Sequence, residues 1–157
     1  MSWTEIRALG SLIIATWALW FLQMRFLDGG QVVDLPPERM FSTYLSVIVV
    51  TIIGEILVTI GISIVGVVLN SGTVESADFE DERDKQIERR AGIISYWFLI
   101  VVVNILALRL IQQEIYTSSV FAPLAIASTS GIVFTLLAVL FAAHIVKMAA
   151  KLILYRV

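Results

Sequence analysis

Four side chains able to carry charge, move a proton or make strong hydrogen bonds sit inside or beside long apolar runs: Glu55, Asn104, Arg109 and His144. A carboxyl group in such a run can take a proton or a cation. An amide can hydrogen-bond that carboxyl, a guanidinium can hold an anion, and an imidazole can exchange a proton or ligate a metal. Metal ligation has the least support, because His144 is the one histidine of the chain and no carboxylate stands at ligand spacing from it. H-E-x-x-H, G-x-S-x-G and glycine-rich phosphate-loop patterns are all absent. The chain has no cysteine, and so no thiol nucleophile and no thiolate-held metal or cluster. These residues therefore lead us to expect no enzymatic activity, no cofactor and no metal, and a charged or polar role within a membrane.

The elements that position these groups are read from the apolar runs. Hydrophobic residues make up 59% of the 157, against 15% charged, which is too little polar surface to coat a soluble domain. Four runs reach the roughly 20 residues that a bilayer core of about 30 Å demands of a helix. They are 6–27, 41–69, 91–111 and 120–146, with a charged segment at 70–90 between the second and third. The expected fold is all-α: one integral membrane four-helix bundle with a cytoplasmic extension of the third helix. Arg7 and Arg25 flank the first run, which is too long for the apolar part of a signal peptide and lacks a cleavage pattern, so it reads as a retained span.

Orientation follows from the positive charges. Arg7, Arg83, Lys85, Arg89, Arg90, Lys147, Lys151 and Arg156 fall on one side, and Arg25, Arg39 and Arg109 toward the other, which places both termini and the middle loop in the cytoplasm. Trp3, Tyr96, Trp97 and Tyr155 fit the inner interface, and Trp20, Tyr44 and Tyr116 the outer one. Asp28-Gly29-Gly30 and Pro36-Pro37 predict a turn and an extended piece in the first outer connection. Neither outer loop is long enough for an extracellular domain.

The middle loop carries Glu75, Asp78, Glu80, Asp81, Glu82 and Asp84, then Arg89 and Arg90 at the membrane. Ser76 or Asp78 can cap a helix that runs into the third span, with acidic residues in its first turn, where the helix dipole favours them. Arg89 and Arg90 reach the phosphate level by snorkelling. The acidic part is read in two ways. It is either a solvated helix extension or a docking surface for a basic cytoplasmic protein, with Glu80, Asp81, Glu82 and Asp84 as contacts, Arg83 among them and Phe79 as apolar anchor. A net charge of −2 and the lack of a basic run give no surface for direct nucleic-acid binding.

At about 1.5 Å per residue, Glu55 and Asn104 come to depths within roughly 6 Å in antiparallel spans. A charge at the bilayer centre costs about 2.5–3.5 kcal/mol on insertion scales, so Glu55 is expected to face a partner. The expected partner is Asn104 or a second subunit, with Glu55 as a neutral acid; a proton- or cation-coupled site is the alternative. Arg109 is expected to reach outward toward the headgroups, Gln113 or Glu114, and His144 to be a satisfied or interfacial histidine. Gly54 with Gly61, and small residues four apart in the fourth span (Ala127 with Gly131, Ala138 with Ala142), allow close helix approach within a bundle or between two copies.

Asp81-Glu82-Arg83-Asp84-Lys85-Gln86-Ile87-Glu88-Arg89-Arg90-Ala91, followed by Tyr96-Trp97, resembles a broad group of small prokaryotic four-span membrane proteins with a D-E-R-D/E cytoplasmic motif. The motif covers about a tenth of the chain. The resemblance implies a protein of the prokaryotic inner (cell) membrane associated with a small helix-turn-helix regulator, which it would sequester or inhibit, and it carries over no catalytic residues. An acidic helix would compete with DNA phosphates for the same Lys and Arg groups of such a regulator. The expectation is therefore a lipid-embedded homodimer that regulates by binding a basic cytoplasmic partner, with a DNA-binding regulator as the candidate. A small transporter or channel using Glu55 is the first alternative, and a structural subunit of a larger membrane complex the second.

Overall fold

The computed structural model describes residues 3–29, 31–69, 82–115 and 128–156. Among them are four helices: α1 (Trp3–Phe26), α2 (Pro37–Leu69), α3 (Glu82–Ile115) and α4 (Thr129–Arg156). All four are long and apolar enough to cross a bilayer. A two-stranded antiparallel hairpin, β1 (Leu27–Asp28) and β2 (Gln31–Val32), follows α1, with Leu27 opposite Val32 and Asp28 opposite Gln31. Its turn uses Gly29 at φ 56°, a conformation in which a Cβ would be strained. The chain then runs without regular secondary structure to Pro37, which opens α2 at the first helical position, where the missing N–H costs nothing.

Packing runs α2 on α1, α1 on α4 and α4 on α3. The centre of the bundle is thus α1 with α4, and α2 and α3 flank it. The cause lies in the α1 sequence. Ala8, Ser11, Ala15, Ala18, Leu22 and Phe26 recur at three- and four-residue spacing and are all buried, so a stripe of small side chains lets neighbouring backbones come close. Gly10 and Gly54 complete this contact: a Cβ on Gly10 would stand 2.7 Å from Val58 Cγ1, and one on Gly54 3.1 Å from the Ile14 Cδ1 methyl. Gly61, by contrast, meets nothing within 4 Å.

The half of the bundle next to the hairpin is filled by Ala18, Leu22, Phe26, Val47, Phe134 and Leu137, with Phe26 and Phe134 ring centroids 5.7 Å apart. Leu35 N–H donates to Ser130 Oγ at 3.0 Å, tying the segment between β2 and α2 to the start of α4. That start is set by Ser128, whose Oγ accepts from Gly131 N–H at 3.1 Å as an N-cap. The described fourth helix runs from Thr129 past Val146 to Arg156, and positions 120–127 of the expected 120–146 span lie outside the described residues. An apolar run carries no mark of where its first hydrogen-bonded turn forms, and the capping serine does.

Outward faces are apolar. Ile52, Ile56, Leu57 and Ile60 of α2, and Trp97, Val101, Ile105 and Leu108 of α3, are exposed, as side chains solvated by lipid would be. The hydroxyls of Ser46, Thr51, Thr59 and Ser63 each donate to the carbonyl four residues back at 2.7–2.9 Å, so α2 presents no unpaired hydroxyl among these to the hydrocarbon. Arg25 lies 5.3 Å from the Phe21 ring centroid, and Phe21 stacks on Trp17.

Candidate functional site

On the half of the bundle that holds both termini, polar side chains from all four helices meet around a cavity of about 370 Å³. Its lining includes Thr4, Arg7 and Ser11 of α1, Glu55 of α2, Glu88 of α3, and His144, Lys147 and Lys151 of α4. Two carboxylates organise it. Ser11, itself buried, donates its Oγ–H to Glu55 Oε2 at 2.7 Å, and His144 Nε2 stands 3.8 Å from Glu55 Oε1, ion-pair range for a protonated ring but too long for a hydrogen bond. Glu88 is clasped by two lysines one helical turn apart, Lys147 Nζ on Oε1 at 2.5 Å and Lys151 Nζ on Oε2 at 2.7 Å. Ser95 Oγ donates to the Ala143 carbonyl at 2.8 Å and holds α3 against α4 above that clasp.

Local sequence explains the geometry. Ser11 is the polar member of the small-residue stripe of α1, so it faces inward at the level where Gly54 lets α2 approach, and Glu55 is the next residue. On α4, positions 144, 147 and 151 share a face at three- and four-residue spacing, which aims His144, Lys147 and Lys151 at one cavity. Arg7 is exposed at the mouth and makes no ion pair among the described residues.

The other expected residues lie elsewhere. Glu55 does not pair with Asn104, whose Nδ2 donates to Ile100 O of its own helix at 2.8 Å from an exposed position. Equal depth was not enough, because α2 packs on α1 and α3 on α4, which puts the two central helices between those side chains. Arg109 is partly buried on α3; the side chains of Gln113 and Glu114 lie outside the described residues. Glu82 and Arg83 are exposed on the first turn of α3 and Asp84 is partly buried, whereas Phe79, Glu80 and Asp81, with the caps Ser76 and Asp78, lie outside the described residues. Ser11, Glu88, Lys147 and Lys151 join the site, although in the sequence Glu88 reads only as part of the D-E-R-D/E segment and the two lysines only as charge on the side of the termini. The signals were the alternating small residues of α1 and the i,i+4 lysine pair of α4.

Beyond Glu55, toward the hairpin, the interior is the apolar cluster of Ala18, Leu22, Val47 and Leu137, so the polar lining stops partway through the bundle. A second cavity of about 540 Å³, on the hairpin side between α2 and α4, is lined by Met40, Phe41, Tyr44, Ile48, Leu136 and Leu140 among others and is almost wholly apolar. Comparison with family models, with curated proteins and with solved structures finds no match to this chain.

Proposed function

We propose that this protein is a membrane-embedded regulator without catalytic activity, which captures a basic cytoplasmic protein on the acidic segment leading into α3. A helix-turn-helix transcription factor is the partner whose chemistry fits, since its DNA-binding face offers the Lys and Arg groups that carboxylates would hold. The observation that carries this reading is the continuity of α3. It is one helix from Glu82, inside the charged segment, through the apolar span to Ile115, and Glu88 fastens it to α4 through Lys147 and Lys151. Charged side chains at its start are thereby fixed to a rigid membrane element, as a docking surface requires. The reading includes a homodimer, for which the uncovered faces of α2 and α3 and the unoccupied space beside Gly61 leave room.

The test is affinity purification of the intact protein from its native membrane in mild detergent at low salt, beside a variant carrying Glu80→Lys, Asp81→Lys, Glu82→Lys and Asp84→Lys. A small DNA-binding protein recovered with the wild type alone is the expected result. Recovery unchanged by charge reversal, or no soluble partner at all, would sink the proposal.

A second reading, a small proton- or ion-coupled transporter, draws on Glu55 facing a polar cavity beside Ser11 and His144. It ranks below the first because the apolar cluster of Leu22, Phe26, Phe134 and Leu137 fills the path beyond Glu55.

A further inference from the structure

The cavity holding Glu88 has more hydrogen-bond donors than its own acceptors use. Lys147 and Lys151 each spend an N–H on Glu88 and retain others, since an ammonium carries three. Arg7 adds a guanidinium with five N–H groups and no ion pair among the described residues. The acceptors are already engaged: Glu88 by two lysines, Glu55 by Ser11 with His144 beside it. Three permanent cations stand against two carboxylates, so the lining carries a surplus of positive charge as well as of donors.

We propose that this cavity binds a phosphate-bearing anion through Arg7, Lys147 and Lys151, and that the phosphate is the headgroup of an anionic lipid from the adjacent leaflet. The place in the bundle fits. Arg7 lies near the start of α1 and Lys151 near the end of α4, at the level where spanning helices leave the hydrocarbon for the headgroups, and basic pockets between helices at that level suit lipid phosphates. A volume of about 370 Å³ admits a phosphate with its glycerol, and the exposed apolar side chains Ile6 and Leu9 of α1 leave the acyl chains a surface to lie on. A free phosphate shares the recognising chemistry and is separated by the test.

The experiment uses the intact protein purified in a neutral detergent, titrated with short-chain phosphatidylglycerol in one arm and inorganic phosphate in the other. Thermal midpoint and lipid retention in native mass spectrometry are both read. Phosphatidylglycerol is expected to raise the midpoint and to be retained, with binding weakened about tenfold by Arg7→Gln or by Lys147→Gln, the loss of one charge-assisted contact. Lys85→Gln, which removes an exposed cation outside the cavity, is expected to leave binding unchanged. A response to inorganic phosphate alone would overturn the lipid as source and keep the phosphate site. No response in either arm, or equal loss in the Lys85→Gln control, would overturn the site itself. Arg7→Gln keeps the test decisive should Lys147→Gln fold poorly, because no ion pair of Arg7 among the described residues is lost.

Discussion

Glu55 and Glu88 solve the same physical problem differently. A carboxyl within a span must be surrounded by donors or water, and Glu55 takes one hydroxyl donor from a buried serine with an imidazole in range, whereas Glu88 takes two ammonium groups near the bundle's end. Glu88 is 43% exposed, so water screens its clasp, and the two ion pairs together contribute about 1 kcal/mol or less to stability. Glu55 is more sensitive to the kind of change than to its charge. Glu55→Gln keeps an acceptor for Ser11 and is expected to leave the thermal midpoint nearly unchanged. Glu55→Ala leaves the buried hydroxyl to find another partner and is expected to cost about 1 kcal/mol, read by thermal unfolding in detergent. The glutamine variant also tests transport, because proton-driven flux into vesicles that is present with the wild type and lost with Glu55→Gln would establish the second reading over the first.

At the scale of elements, the contact between α1 and α2 sets the register of the site, and glycine decides how close the two helices come. Gly10→Ala places a methyl 2.7 Å from a γ-methyl of Val58, a β-branched side chain that cannot turn aside in a helix without leaving its preferred rotamer. Overpacking of this kind costs about 1–3 kcal/mol and outweighs the roughly 1 kcal/mol that alanine gains over glycine in helix propensity. Gly10→Ala is therefore expected to lower the thermal midpoint and Gly61→Ala, which meets open space, to hold or raise it. Equal effects at the two positions would refute the close approach. The same elements show what a sequence can and cannot reveal. Four spans were legible because lipid selects on local composition, and the hairpin turn because Asp28-Gly29-Gly30 is a local signal. The partner of Glu55 was not, because hydropathy places a residue in depth and leaves open which helix stands beside it. That neighbour is decided by Ala8, Ser11, Ala15 and Ala18, a packing stripe whose small side chains barely alter the apolar average.

For the whole molecule, polarity is distributed along the bundle axis. Arg7, Arg83, Lys85, Arg89, Arg90, Lys147, Lys151 and Arg156 belong to the end with the termini and the charged cavity, and the apolar core with the hairpin to the other. The proposed partner surface requires that the first of these ends face the cytoplasm, as the positive-charge bias directs. A chain without cysteine makes the requirement directly measurable. Asp34→Cys, between β2 and α2, and Lys85→Cys, near the start of α3, each place a single exposed thiol at opposite ends. A membrane-impermeant thiol reagent applied to intact cells is expected to label Asp34→Cys and to reach Lys85→Cys only after the membrane is opened. The reverse pattern would put the acidic segment outside the cell, where no transcription factor could reach it, and regulation by cytoplasmic capture would fail at once. The phosphate site would survive that inversion, because anionic headgroups of the other leaflet could still meet Arg7, Lys147 and Lys151.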